Sequence, residues 1–224
     1  MNRSIRPARR LATGALAATI LFPAIVIALN LANRSSYSPT RQAISELALG
    51  PGGVLMAVAF CGLGIGIFLI AVTIYRTTVN ARIAPLLLAV ASVAAGPLSA
   101  AFHTDRTSAK ATLHGNIHNG AGLAAFLLIL VAMIVCAYRF RREPWWRAHT
   151  TPTTALAALG IITFFLIPML GNSDFGLAQR LFVGTFVTWL LATAQYVRGD
   201  HTVEDAARTA GSNRVPEGRS TSST

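Results

Sequence analysis

Charged residues are scarce in this sequence, and acidic residues are scarcer still. Only 12% of the 224 residues are Asp, Glu, Lys or Arg, and just eight are acidic, whereas an average soluble domain carries about 25% charged residues. Apolar residues make up 53% of the chain, and the mean hydropathy is +0.54. This composition argues against an ordinary soluble domain and predicts an integral membrane protein.

Cysteine is nearly absent as well. Cys61 and Cys136 lie in two different apolar segments. In the membrane topology predicted below, Cys61 is nearer the outer membrane face and Cys136 is nearer the cytoplasmic face. A disulfide requires Cα atoms within about 7 Å. We therefore predict no disulfide and interpret both cysteines as small buried hydrophobic residues.

Several catalytic signatures are also missing. The sequence contains no Gly-rich phosphate loop, no Ser-x-x-Lys and no Gly-x-Ser-x-Gly element, which are the short motifs of common phosphate-binding and serine enzymes. The formal charge of +11 does not indicate nucleic-acid binding, because that function needs a basic face on a soluble domain.

Six apolar segments, each close to the roughly 17–25 residues of a membrane-spanning helix, account for most of the chain. The sequence therefore predicts an all-α fold, a six-helix transmembrane bundle whose main partner is the lipid bilayer. Pro97, in the third segment, predicts a kink. The predicted spans are Leu11–Ala32, Gly52–Tyr75, Ile83–Phe102, Ile117–Tyr138, Thr154–Gly171 and Leu181–Val197.

The distribution of basic residues predicts the orientation. Of the 19 lysines and arginines, 14 lie in the two terminal segments and the two even-numbered connections, which face one side. The positive-inside rule makes that side cytoplasmic, so we expect a multi-pass protein of the plasma membrane with both termini in the cytoplasm. The first apolar run, of about 20 residues, is too long for the core of a secretory signal and is interpreted as an uncleaved helix.

Three regions follow from this reading. Residues 1–10 form a basic, disordered cytoplasmic leader, and residues 11–198 form the membrane domain. Residues 199–224, rich in Gly, Ser, Thr and charge, form a disordered cytoplasmic tail.

A short amphipathic helix is predicted over Pro39–Leu49, between the first two spans. Ser38 is a suitable N-cap, and Gly50 followed by Pro51 is a stop signal. The helix is interpreted as lying at the outer membrane interface with Glu46 turned toward the loop from His103 to His118, a solvated surface helix being the alternative. Its apolar face is Ala43, Ile44, Leu47 and Ala48, and its polar face is Arg41, Gln42, Ser45 and Glu46.

The loop from His103 to His118 concentrates three of the five histidines and one carboxylate between apolar segments. His114 and His118 are four residues apart, so both lie on one face if a helix begins there. With His103, or with Asp105 as a further oxygen ligand, they form a candidate zinc site that leaves a position open for water. Gly115 weakens a helix at this point by roughly 1 kcal/mol.

Other polar residues on the same side are candidates for supporting roles. Glu46, Asp105 and Asp174 are the candidate catalytic carboxylates, since zinc-bound water needs a general base. Ser45, Gln179 and Arg180 are interpreted as structural residues that orient the ligands. Two alternatives remain open: a hydrogen-bonded cluster without metal, and ordinary loop residues.

The order of these motifs resembles the family called domain of unknown function 998, over roughly residues 10–198. The resemblance implies a polytopic membrane protein and assigns no activity. The chain also has a fainter similarity to alkaline ceramidase and adiponectin-receptor-like membrane hydrolases, which combine Ser, Asp and three His around zinc but have seven spans. The motifs are Ile44-Ser45-Glu46-Leu47 with Gly50-Pro51, Phe102–Asp105, His-Gly-x-x-His at 114–118 and Gly-Leu-Ala-Gln-Arg at 176–180.

Three function classes remain compatible with the sequence. The first is a hydrolase or transferase, metal-dependent if zinc binds, that acts on a lipid-type substrate at the outer leaflet. The second is a sensor or transporter that uses the histidines and carboxylates for protons or ions. The third is a scaffold for a protein partner, in which the polar cluster is structural.

Overall fold

The chain forms a bundle of six long helices, and the computed structural model describes residues 2–79, 82–106, 109–170 and 173–199. Within these residues there are helices and no strands, which confirms the predicted all-α class. Each helix contains a stretch that is long and apolar enough to cross a membrane. The helices are α1 (Asn2–Ala32), α2 (Val54–Thr77), α3 (Ile83–Ala101), α4 (Leu113–Phe140), α5 (Arg147–Met169) and α6 (Phe175–Arg198).

Four helices, α1, α4, α5 and α6, begin before the apolar runs from which they were predicted. Helix α5 begins at Arg147, directly after a 3₁₀ turn over Pro144–Trp146, because the polar first turns continue the backbone hydrogen bonding. Helix α1 begins at Asn2, so the expectation of a disordered leader is wrong for residues 2–10. The predicted tail from residue 200 onward lies outside the described residues.

The six helices close into a ring. Each helix packs against its neighbours in sequence, and α6 returns to pack against α1. Because successive helices are antiparallel, the connections 33–53, 102–112 and 170–174 lie at one end, here called the polar end. Connections 78–82 and 141–146 lie at the other end, here called the basic end.

Helix α3 is interrupted at Pro97, where the sequence predicts a kink. The interruption is a π-helical turn over Ala94–Leu98, and the Ser99 hydroxyl donates to the Ala94 carbonyl at 2.8 Å. Within this turn, α2 and α3 touch through their backbones, since a Cβ on Gly64 would lie 2.7 Å from the Gly96 Cα. The π turn thereby shapes the wall of the ring near the polar end.

The connection between α1 and α2 differs from its prediction. Only Ile44–Leu49 is helical, and this segment is a 3₁₀ helix that begins five residues after the predicted start at Pro39. Ser45 and Glu46, which were assigned to a polar outer face, are buried. The carbonyls of Pro39, Thr40 and Gln42 bond to α6 and are therefore not free to start a helix.

The two cysteines are free thiols, as predicted. Cys136 is buried inside the ring, but Cys61 is exposed on the apolar surface of α2. The prediction that both are buried is therefore wrong for Cys61, which faces outward because of the helical register of α2.

Candidate functional site

The polar end is held together where the first connection meets the start of α6. The Leu177 amide donates to the Thr40 carbonyl at 2.9 Å. Gly176 allows this approach, since a Cβ there would lie 2.3 Å from the Gln42 carbonyl oxygen and 2.6 Å from that of Pro39. Residues 39–42 are therefore seated directly on the first turn of α6.

Hydrogen bonds from Arg180 stabilise this contact. Its Nη1 donates to the carbonyl oxygens of Pro39 at 2.6 Å, Gln42 at 3.0 Å and Gly176 at 3.0 Å. Its Nη2 donates to the Tyr37 hydroxyl, and the guanidinium carbon lies 5.5 Å from the Tyr37 ring centre. The structural role predicted for Arg180 thus takes the form of a clamp on backbone carbonyls.

Tyr37 is the other half of this clamp. Its hydroxyl lies 2.8 Å from the Ala43 carbonyl oxygen and 3.2 Å from that of Gln42. Burial raises the pKa of Tyr37 above its ordinary value, and the adjacent Arg180 opposes the shift. The phenol is therefore a neutral donor to the loop carbonyls at neutral pH.

Glu46 is buried, with 5% of its surface exposed, and its described hydrogen bonds are local. Oε1 accepts from the Ala43 amide at 3.1 Å, and Oε2 accepts from Gln42 Nε2 at 3.2 Å. Gln42 in turn accepts from the Ser38 amide at 2.7 Å. These bonds fix the start of the 3₁₀ helix.

Gln179 connects this helix to the bundle. Its Oε1 accepts from the Ile44 amide at 2.8 Å. The neighbouring Ser45 is buried and lines the space at the centre of the ring. Gln179 therefore positions the backbone next to Ser45, and its predicted role in orienting metal ligands remains a prediction.

Thr112 caps helix α4, and Asp105 holds Thr112 in place. Its carboxylate accepts from the Thr112 amide at 2.7 Å and from the Thr112 hydroxyl at 2.8 Å, and that hydroxyl accepts from the Gly115 amide at 3.1 Å. A Cβ on Gly115 would lie 1.9 Å from Asp105 Oδ2. Gly115 thus makes room for a carboxylate at the positive end of the helix dipole.

His118 is the buried histidine of the predicted metal set, with 6% exposure. Its Nδ1 lies 2.8 Å from the Phe102 carbonyl oxygen, which only accepts, so Nδ1 carries the proton and donates. The ring also packs edge-on against Phe60 at a centroid distance of 5.7 Å. In the neutral form of the ring, the proton on Nδ1 leaves Nε2 as an acceptor.

Two spaces meet at His118. The central cavity, with about 60 Å³ open to water-sized molecules, lies inside the ring and is mostly apolar. The second space, here called the vestibule, has a volume of about 200 Å³ and lies at the polar end, between the start of α2 and the end of α3. His103 and Thr104 are among its lining residues. His118, Phe60 and Ser99 line both spaces and form their common wall.

His103 lines the vestibule together with His118, but the predicted ligands do not form one group. His103 and His114 are exposed, and the His114 ring packs against Phe102 at 5.4 Å. Across the described ranges, no group of three or more His, Cys, Asp and Glu side chains is placed to hold a metal ion. Zinc binding therefore stays a prediction from the sequence alone.

Asp174, the third predicted catalytic carboxylate, occupies the position just before α6 and is partly buried. Its carbonyl accepts from the Ala178 amide at 3.0 Å. Its catalytic assignment also remains a prediction.

Several residues of the polar end were missed by sequence reasoning. Tyr37 appeared as an ordinary loop aromatic, and Phe60 appeared as one of many apolar residues in a span. Phe102 contributes through its carbonyl, which no side-chain pattern reveals. The only available signal was Pro97, because a proline interruption inside a span frees backbone groups near a functional wall.

A closed ring of six helices, each with a stretch long and apolar enough to cross a membrane, defines a multi-pass helical membrane protein. The sequence profile described as "Protein of unknown function (DUF998)" matches residues 16–196, and the chain belongs to this family. No curated protein and no solved structure matches the chain. The similarity to ceramidase-like and adiponectin-receptor-like hydrolases therefore has no support from known relatives.

Proposed function

We propose that the protein binds a lipid-type molecule with its apolar part in the central cavity and its polar group against His118. The observation that carries the proposal is the position of His118 in the wall between the apolar cavity and the vestibule. Ligand sites are typically concave, mostly apolar and supplied with a few placed polar groups. Ser45, Ser99 and Gln179 are the other polar side chains that line this cavity.

Hydrolysis or group transfer is the reaction class that this position favours. His118 Nε2 would take a proton from water, and the resulting hydroxide would attack the carbonyl carbon of an ester or amide. As the bond to the leaving group breaks, the leaving oxygen or nitrogen would take the proton back from His118. General-base catalysis of this kind contributes roughly 10²–10⁴-fold.

The second candidate is a non-enzymatic sensor, transporter or scaffold, and a specific observation favours it. Glu46, Asp105 and Arg180 use their charged groups to hold backbone and neighbouring side chains, as a structural cluster would. The two candidates differ in product formation. If the purified protein converts a bound ester to the free acid, and this activity is lost in His118→Asn but kept in His114→Asn, the protein is an enzyme. If the ester binds and no product forms, the non-enzymatic alternative is supported.

Filling the central cavity is expected to abolish ligand binding without harming the fold. Gly122 lines the cavity, and a Cβ there meets nothing within 4 Å. Gly122→Val therefore places methyl groups in the ligand's space. Binding is measured by photo-crosslinking a monoacylglycerol with a diazirine on its acyl chain to the purified protein, followed by mapping of the labelled peptide.

Gly120→Val is the matched control, because Gly120 lies one half-turn away on the same helix, is exposed and also has open space. Labelling of residues 122–129 should fall to background in Gly122→Val and persist in Gly120→Val, with neither thermal midpoint lowered. Full labelling of Gly122→Val would place the ligand elsewhere and refute the proposal.

We propose that the polar end faces away from the cytoplasm in the plasma membrane, with both termini cytoplasmic. The support is that 14 of the 19 basic residues belong to the two terminal segments and the two even-numbered connections of the sequence, which the positive-inside rule places in the cytoplasm. A Cys61→Ala background removes the exposed native thiol. An impermeant thiol reagent applied to intact cells is then expected to label Ser173→Cys at the polar end and not Val79→Cys, and the reverse pattern would overturn the orientation.

A further inference from the structure

We infer that the polar group held at His118 is uncharged, such as a hydroxyl, an ester or an amide, and is neither a phosphate nor an ammonium group. This inference rests on the proposed function and narrows its ligand class. It follows from the kinds of side chain that line the two spaces and from the bonds that already engage the charged side chains next to them in sequence.

Neither space offers a fixed charge. Among the described residues that line the central cavity and the vestibule, none is Lys, Arg, Asp or Glu. A phosphate in a protein site is normally met by a cation, and an ion moved into an apolar cavity without a counter-charge carries a large desolvation penalty. The polar lining residues are Ser45, Ser99, His103, Thr104, His118 and Gln179.

Three charged side chains that are next in sequence to lining residues, Glu46, Asp105 and Arg180, are hydrogen-bonded to the protein itself. The Arg180 guanidinium donates to three carbonyls and to Tyr37. The carboxylates of Glu46 and Asp105 accept from backbone amides. A ligand that recruited any of these charges would have to break bonds that hold the connections at the polar end.

The remaining hydrogen-bonding capacity suits a neutral group. Gln179 uses its Oε1 on Ile44, so its amide group adds donors, and the Ser45 hydroxyl can donate or accept. Neutral His118 adds an acceptor at Nε2, since Nδ1 donates to Phe102. A hydroxyl or an amide can donate to His118 and accept from Gln179 or Ser45, and an ester carbonyl can accept from them without bringing a charge. An ionised phosphate offers only acceptors and also brings a charge that no lining residue balances.

Competition between amphiphiles of equal chain length tests the inference. The photoactivatable monoacylglycerol is displaced from purified wild-type protein by a monoacylglycerol, by its phosphate ester or by an alkyl trimethylammonium salt. The neutral competitor is expected to act at a concentration at least roughly tenfold lower than either charged one, the effect of one lost hydrogen bond or more. Equal or better displacement by a charged competitor would overturn the inference.

Two variants test whether the preference for a neutral competitor arises at the polar residues of the cavity. Ser45→Ala and His118→Asn are each expected to weaken the neutral competitor by roughly tenfold, because Asn can still donate to the Phe102 carbonyl but lacks a group at the Nε2 position. His114→Asn, one turn away and exposed, is the matched control and should behave as wild type. Unchanged affinity in both site variants would also overturn the inference.

The same experiments distinguish failure of this inference from failure of the proposed lipid-binding function. Labelling that no amphiphile displaces and that Gly122→Val does not reduce would refute the proposed lipid site altogether. Labelling that Gly122→Val abolishes, but that charged and neutral competitors displace equally, would preserve the lipid site and refute only the uncharged polar group.

Discussion

Gly115→Ala is expected to destabilise the protein strongly, although Gly→Ala inside a helix ordinarily stabilises by roughly 1 kcal/mol. The new Cβ would lie 1.9 Å from Asp105 Oδ2, so the carboxylate must leave its place on Thr112. Overpacking and loss of the support for the cap together should lower the free energy of unfolding by about 2–4 kcal/mol. The measurement is the thermal midpoint of the purified protein in detergent.

The control for this effect lies on the same helix. Gly120→Ala, where a Cβ meets nothing within 4 Å, should leave the thermal midpoint unchanged or raised. Asp105→Ala alone should destabilise by loss of the bonds that hold the Thr112 cap, and adding Gly115→Ala to it should cost little, because the clash has gone. Additive losses in this double-mutant cycle would show that the two residues do not act through their contact.

Arg180→Ala is expected to have an effect of similar size. It removes a cation that donates to the carbonyls of Pro39, Gln42 and Gly176 and to the Tyr37 hydroxyl. Hydrogen bonds to charged groups contribute roughly 1.5–3 kcal/mol, and several bonds are lost together. The connection over residues 37–43 should detach from α6, seen as a lower thermal midpoint and faster proteolysis at Arg41.

Two further substitutions sharpen this result. Arg180→Lys should also destabilise, since an ammonium group cannot reach several carbonyls at once as a planar guanidinium does. Arg41→Ala replaces an exposed arginine of the same connection and should leave the thermal midpoint unchanged. Only the thermal midpoint is compared for this variant, because the substitution removes the proteolysis site. Equal midpoints for Arg180→Ala and Arg41→Ala would show that the clamp contributes nothing to stability.

The polar end shows where sequence reasoning was correct and where it was not. The apolar runs and the placement of Ser45, Glu46, Asp105, Gln179 and Arg180 near one end followed from span counting, because polar groups are excluded from the spans. The roles of these residues did not follow. Asp105 was taken as a catalytic residue or ligand and is found bonded to Thr112, the N-cap of α4. Gly115 was taken as a helix-weakening residue and is found making room for the Asp105 carboxylate.

The sequence by itself determined the six apolar helices, the absence of a disulfide and the asymmetry of basic charge, because each depends on local composition and on lengths set by a bilayer. The tertiary structure alone decided which polar residues face the interior. The partners of Arg180 lie about 140 positions away, and the partner of His118 is a backbone carbonyl, which carries no mark in the residue type. Such backbone contacts explain why His118 is buried in the wall between the central cavity and the vestibule, whereas His103 and His114 are exposed.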